Sequence, residues 1–392
     1  MKKARLSFVF VLIALILLPA SAAFAADGDA PSPTETPPEA VTESSAEIAV
    51  TGDIMALSAQ IKSAHEKGGG YNFDYVFKRV KPILSGADLA IGNLETPVAG
   101  SAFPYTSGSS RNGYPVLNAP EAFAGAVKRA GYDIVSTANN HCLDYGEKGL
   151  KNTLDAIKRS GLKSTGTFKT KEARGTPLIE EVKGIKICVL AYTDRTNHRE
   201  YTLSPSKRAY MFNRLSAGRV TGDIAKARKN GAELVIVMVH WGTEDAARSN
   251  SAQRSMAKKI AKAGADIIIG AHPHVLQETA RITAQTPYGK KNCFVAYSLG
   301  NFVSSMTETR YTDTAILKFT VRKNAEGKVW VDAVKGISAT TFSSYGGKRF
   351  AVLPYYRTRD FTSSAAVVAK LRSSFKRVSG KLKSKYLDMV TG

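Results

Sequence analysis

Residues 265–276 read Ala265-Asp-Ile-Ile-Ile-Gly-Ala-His-Pro-His-Val-Leu276. Ile267, Ile268 and Ile269 form a β-branched apolar run without alternation, the pattern of a strand buried on both faces in an α/β sheet. Gly270 reads as the place where the backbone turns, and His272 and His274 follow it. In an extended chain, side chains two residues apart point the same way and lie roughly 7 Å apart. That spacing suits two imidazoles leaning onto neighbouring cations, which in two-metal hydrolytic sites sit about 3.5–4 Å apart. A lone His-Pro-His is also an ordinary turn, so its weight depends on how the other strands of the chain end.

Working outward, strand-like runs alternate with helical stretches from residue 48 to about 305. Ile48-Ala-Val-Thr-Gly-Asp53 is the first strand, residues 71–86 a helix, and Ala87–Gly92 a strand. Residues 119–131 read as helix and Tyr132–Ser136 as strand. Residues 147–161 are helical, with Leu150, Leu154 and Ile157 at helical spacing and Gly161 as the stop. A hairpin over 178–192 turns at Lys183-Gly184. Then come a helix (216–230), a strand (Leu234–Val239), a helix (252–264), the isoleucine strand, and a last strand at Phe294–Leu299. Such alternation predicts a layered α/β domain over 47–305. Beyond it, Thr314–Val321 and Val329–Val334 alternate as antiparallel strands of a β extension over 306–360. Residues 361–392 form a basic amphipathic helix, with Val367, Leu371, Phe375, Val378 and Leu382 on one side. That helix either docks on the domain, the favoured reading, or lies on an anionic surface.

In open α/β sheets the chemistry gathers at the carboxyl ends of the strands. Here those ends carry Asp53, then Asn93 and Glu95, then Asn140 and His141, then His240 and Glu244, then His272 and His274. Four of the chain's six histidines are among them. Any one of these residues has an ordinary structural explanation. Five successive strand ends all furnished with carboxylate, amide or imidazole do not.

These motifs resemble the CapA family of capsule-biosynthesis (poly-γ-glutamate synthesis) proteins, within the calcineurin-like metallophosphatase superfamily. The resemblance rests on Gly52-Asp53-Ile-Met55, Gly92-Asn-Leu-Glu95, Ala138-Asn-Asn-His141-Cys-Leu-Asp144, His240-Trp-Gly-Thr-Glu244, Gly270-Ala-His-Pro-His274 and Ser298-Leu-Gly-Asn-Phe302. It implies a four-layer α-β-β-α sandwich carrying the C-terminal antiparallel extension and terminal helix. By similarity, Asp53 and His274 hold one divalent metal, Asn140, His240 and His272 a second, and Glu95 bridges them. Mn, Fe or Zn, as one or two ions, suits such donors. His141 then protonates the leaving group, and Asp144 and Glu244 orient imidazoles. Asn93 and Asn301 are further candidates for supporting or substrate contacts. One departure stands out. The wider superfamily has Asp-x-His where this chain has Asp53-Ile-Met55; the methionine agrees with the CapA pattern itself, but a thioether is a poor ligand for such metals.

The N-terminus bears on compartment. Lys2, Lys3 and Arg5 precede the apolar run Leu6–Leu18, and Ala23-Phe-Ala25 fits a cleavage site, so residues 1–25 read as a secretory signal peptide or, alternatively, an uncleaved anchor. Residues 26–46 are an acidic Pro/Ser/Thr-rich linker expected to stay disordered. The chain carries a formal charge of +22, and the part beyond the linker is more basic still. An exported body of that charge is drawn to polyanions. Nucleic acid is excluded by export, which leaves anionic wall or capsule polymers such as poly-γ-glutamate, together with membrane-bound capsule-synthesis partners. Cys142, Cys188 and Cys293 are too few to form a disulfide framework. Three readings follow: a metal-dependent hydrolase of a phosphoester or related bond, a non-catalytic polyanion-binding subunit of a polymer machine, or a general wall-polymer-binding module.

Overall fold

Ile48 and Val50 face one apolar core while Ala49 and Ile54 face another, so the first strand is buried on both sides. The computed structural model describes residues 43–392 except 108, 109, 112, 383 and 392. The signal segment and nearly all of the expected linker therefore lie outside the described residues. In chain order the strands are β1 (Ser44–Ile54), β2 (Leu89–Leu94), β3 (Ile134–Ser136), β4 (Lys163–Thr165), β5 (Ile179–Val182), β6 (Ile185–Thr193) and β7 (Leu234–His240). They continue with β8 (Ile267–Ala271), β9 (Thr279–Thr286), β10 (Gly289–Ala296), β11 (Asn301–Val303), β12 (Asp313–Lys323), β13 (Val329–Phe342) and β14 (Ala351–Pro354).

Two sheets result. One runs β14-β13-β12-β1-β2-β3-β4, with β11 added on β1, and the other β9-β10-β8-β7-β6-β5. β1 to β4 are mutually parallel, as are β6, β7, β8 and β10. The sheets pack face to face through Ile48, Val50, Ile91 and Leu317 from one and Ile187, Ile236, Ile267 and Ile269 from the other. Helices α1 (Ala122–Arg129) and α2 (Gly146–Arg159) cover the outer face of the first sheet, where Phe123, Val127 and Ile157 meet Ala90 and Val135. Helices α3 (Ala217–Lys229) and α4 (Ser251–Ala263) cover the second, where Val220, Ile224, Ala257 and Ile260 meet Val235 and Ile268. This is the expected α-β-β-α sandwich. The isoleucine run needs no alternation because Ile268 faces helices while Ile267 and Ile269 face the other sheet.

Several local expectations are corrected. The linker stops short of 46, because β1 already begins at Ser44; Glu47 pairs with Thr320 across the sheet and with the Lys318 ammonium at 2.5 Å. The helix expected over 71–86 is two single turns, Asp74–Phe77 and Lys81–Leu84. Pro82 breaks it, having no N–H for the i→i−4 ladder and a ring that crowds the preceding turn. Strand β9 was not expected; it pairs antiparallel with β10 and is largely solvent-facing, so its sequence carries little apolar signal. The Lys183-Gly184 turn does form, with both residues at positive φ (48° and 75°), as a two-residue hairpin connection requires.

β12, β13 and β14 extend the first sheet on the otherwise open side of β1. The terminal helix α5 (Ala365–Leu382) docks and ends earlier than expected, at Leu382, after which Asp388–Met389 adds a short strand to β13. Val378 and Leu382 enter the inter-sheet core, and Leu371 packs on Phe342 and Leu353. Lys370, Arg372 and Lys376 stay exposed. The anchor is the buried carboxylate of Asp313, which accepts from Ser374 Oγ (2.7 Å) and from Arg377 Nε and a terminal guanidinium nitrogen (2.6 and 3.0 Å). Among the described residues no helix is long and apolar enough to cross a membrane. Asp313→Ala is expected to lower unfolding stability by about 2 kcal/mol, the scale of charge-assisted hydrogen bonds. Urea denaturation checks this, and limited proteolysis should show earlier cleavage within α5.

A candidate metal centre at the strand ends

The parallel strands of both sheets deliver their carboxyl ends to one rim, and the expected residues meet there. Close backbone approach does the placing. A Cβ on Gly52 would lie 2.0 Å from the Gly300 carbonyl oxygen, so only glycine lets β1 run against the 298–301 turn and set Asn301 beside Asp53. Gly270 acts in the same way. It lies within β8 rather than at a turn, and a Cβ there would sit 1.8 Å from the Tyr297 carbonyl oxygen. The turn comes after it and is not extended: His272 (φ 93°) and His274 (φ 59°) are both left-handed. Such a conformation is strained for a side chain of this size and persists only where its surroundings enforce it. The two rings lie 6.1 Å apart by centroid, through paired left-handed residues and not through strand geometry.

Asp53 is buried. Its Oδ1 accepts from Asn93 Nδ2 at 2.7 Å and its Oδ2 from the His272 backbone N–H at 3.3 Å. Asn93 is held in turn by Ser136 Oγ, which donates to its Oδ1 at 2.7 Å. His274 Nδ1 lies 2.9 Å from Asn301 Oδ1 and 3.6 Å from Asp53 Oδ2. Because the Asn301 amide nitrogen is engaged by Ser304 Oγ, its oxygen faces the ring and His274 Nδ1 carries the proton. His274 Nε2 then looks toward Glu95 Oε1 at 3.8 Å, and His240 Nε2 looks at the same oxygen from 3.7 Å. His240 Nε2 is also 3.0 Å from Asn140 Oδ1, and the His240 and His272 ring centroids are 4.7 Å apart. Glu95 thus stands between an Asp53/His274 pair and an Asn140/His240/His272 group.

Two of these side chains lack a hydrogen bond among the described residues. Both Glu95 carboxylate oxygens and both His272 ring nitrogens are buried and make no hydrogen bond. An unsatisfied buried polar group costs about 1–3 kcal/mol, and a charged one more. Burial and then the Asp53 charge push the Glu95 carboxyl well above its usual range, against the opposing pull of His274. Burial, followed by the positive field of neighbouring groups, holds His240 and His272 well below the ordinary imidazole value. Burial also acts to depress His274, but Glu95 and Asp53 outweigh it and lift that ring to about 10. Neutral imidazoles and crowded carboxylates around unpartnered atoms are a donor set that fits a divalent cation. Asp53, Glu95 and His274 each place a ligand atom within 4.8 Å of the others, and so do Glu244, His272 and His274. Glu244, expected to orient an imidazole, lies beside the His272 and His274 rings.

His141 is buried beside this group. Its Nδ1 lies 2.8 Å from Asp144 Oδ2, which also accepts from the Leu117 backbone N–H at 2.7 Å. The other Asp144 oxygen is 3.0 Å from Nε of Arg199, itself buried. Asp144 thus holds His141 Nδ1–H, which leaves Nε2 for proton transfer. Arg199 and Ser136 were missed by the sequence reading, since neither sits in a recognisable motif. Cys142, although adjacent, is a buried thiol whose pKa burial raises to about 12, so it is no nucleophile. Met55 is buried just after β1, where the wider superfamily, unlike the CapA pattern, has an imidazole.

The sequence profile of the bacterial capsule synthesis protein PGA_cap family matches residues 47–306. The chain belongs to that family. Over 287 residues it is 32% identical to the capsule biosynthesis protein CapA of Bacillus anthracis, a match covering 71% of this chain and 64% of that protein. It is 29% identical over 298 residues to the PGA biosynthesis protein CapA of Bacillus subtilis (strain 168), covering 74% of this chain and 71% of that one. The chain thus spans just under two thirds of the first of these relatives. Among solved structures it is similar to the calcineurin-like phosphoesterase YfkN of Bacillus subtilis, with 14% identity, a TM-score of 0.44, and coverage of 86% of this chain and 98% of the other.

For this PGA_cap chain, a cation held by His274 must displace that ring's proton. With the metal-free ring protonated up to about 10, divalent-cation affinity should rise with pH from neutrality toward that value, with proton release on binding. Isothermal titration in buffers of different ionisation enthalpy measures both. A pH-independent affinity would contradict it.

Proposed function

We propose that this PGA_cap-family chain is an exported, metal-dependent hydrolase. In this reading it cleaves a phosphoester or related bond during the making or export of poly-γ-glutamate or a similar anionic polymer of the cell envelope. The observation that carries the proposal is the buried pair Glu95 and His272, which make no hydrogen bond among the described residues, between flanking donors. Asp53 and His274 would hold one cation, Asn140, His240 and His272 a second, with Glu95 shared. Cations of the Mn, Fe or Zn type would there polarise substrate oxygens and acidify water. The chain's own residues do the rest. Asn93 and Asn301 fix the orientation of Asp53 and His274. Asp144 keeps the His141 proton on Nδ1, so that Nε2 faces the leaving-group oxygen and, when protonated, donates to it. The net charge of +22 favours capture of an anionic polymer. Membrane-bound components of a capsule machine are the expected partners, and the N-terminal signal-like segment supports export.

A second reading is a non-catalytic polyanion-binding subunit, and Met55 at a ligand position is the observation that favours it. Metal analysis separates the two. The hydrolase reading expects about two ions of the Mn, Fe or Zn type per chain, lost in His272→Ala. It also expects hydrolysis of aryl phosphate mono- or diesters that falls by roughly 10²- to 10⁴-fold in His141→Ala, the usual size of a general-acid contribution. A metal-free protein that binds polyglutamate tightly and in a salt-sensitive way would establish the second reading instead.

A further inference from the structure

The donor set at the Asp53/His274 position is short by one group, because Met55 supplies a thioether where an imidazole is expected. The loop that follows β7 brings another donor to the neighbouring His272/His274 pair. Its backbone is pinned to the His-Pro-His turn on both sides: Trp241 N–H donates to the Ala271 carbonyl at 3.1 Å, and Asp245 N–H to the Pro273 carbonyl at 3.0 Å. Between these two rungs Gly242 (φ 91°) and Asp245 (φ 64°) turn the chain left-handed. Tyr311 Oη clamps the far end by donating to Asp245 Oδ1 at 2.6 Å. The residue held between the rungs is Glu244, and its carboxylate has a ligand atom within 4.8 Å of those of His272 and His274. The nearby cation that could have claimed it is committed elsewhere: Arg195 Nε donates to Asp194 at 2.7 Å, and its terminal nitrogen donates to the Gly242 carbonyl at 2.5 Å. His272, which Glu244 approaches, is fully buried with both ring nitrogens unpartnered.

We propose that Glu244 is itself a metal ligand, entering from the solvent side to replace the imidazole that Met55 cannot provide. This rests on the metal-centre reading above. The consequence is a third carboxylate in the set, alongside Asp53 and Glu95, and a harder, more oxygen-rich environment for the ion at His274. Such a set favours Mn or Fe over softer ions. Glu244 is exposed, so its replacement should leave the fold intact.

The test is metal binding by the purified full-length protein, read by elemental analysis after dialysis, by calorimetric titration with Mn²⁺, and by the visible absorption of a Co²⁺-substituted sample. Glu244→Ala is expected to weaken one of two ions by roughly 100-fold, the upper end of what loss of a supporting group produces, and to change the Co²⁺ spectrum. Met55→His in the Glu244→Ala background should restore the lost ion, which a residue that merely orients an imidazole would not explain. Asp53→Ala serves as the reference. If Asp53→Ala loses metal while Glu244→Ala binds as the unmodified chain does, the role of Glu244 is overturned and the centre stands. Failure of Met55→His to restore the ion in a folded double variant also overturns it. If neither the unmodified chain nor Asp53→Ala holds metal, the centre itself is wrong.

Discussion

The inter-sheet core is the constraint on which everything else depends. Ile48, Val50, Ile91, Ile236, Ile267 and Ile269 are buried because two parallel-stranded layers must hide one face each against the other. With helices on the outer faces, the central strands of both sheets are covered on both sides. What remains available is the rim where strands end, and both layers present their carboxyl ends on the same side. Asp53, Glu95 and Asn140 come from one sheet, and His240, His272 and His274 from the other. The polar cluster is thus a product of sheet packing.

Electrostatics at that rim are unsettled in the protein alone. Two acids, three imidazoles and an amide share a space with too few hydrogen bonds to satisfy them, while Ser136, Asn93 and Asn301 hold them in fixed orientations. Left-handed backbone at His272 and His274 adds local strain. Both features are tolerable when the inter-sheet core and the flanking helices supply the stability, and both describe a place prepared for a positively charged occupant.

Much of this was legible in the sequence, for a physical reason. The isoleucine run and the Lys183-Gly184 turn announce themselves through burial and backbone preference, and strand ends carrying acids or imidazoles recur in order along the chain. What the residues could not reveal depends on contacts distant in sequence. Strand Thr279–Thr286 is hidden because one of its faces is wet. Arg199 lies in a loop without periodicity, and only the fold carries it to Asp144. That Glu244 meets both His272 and His274 is visible only once the backbone rungs to Ala271 and Pro273 are seen. The extended His-Pro-His geometry was a reasonable inference from spacing that the left-handed turn replaces.

The pairing of β1 with β12 has a further consequence. Ile48 sits opposite Leu89 on one side and Phe319 on the other, so the strand that carries Asp53 gains its second neighbour only after most of the polypeptide has been made. Long-range pairing of this kind is slow, because the closure entropy of a long loop comes before any reward. Closing this side of the first sheet is therefore expected to lag behind the shorter-range pairing of β1 with β2.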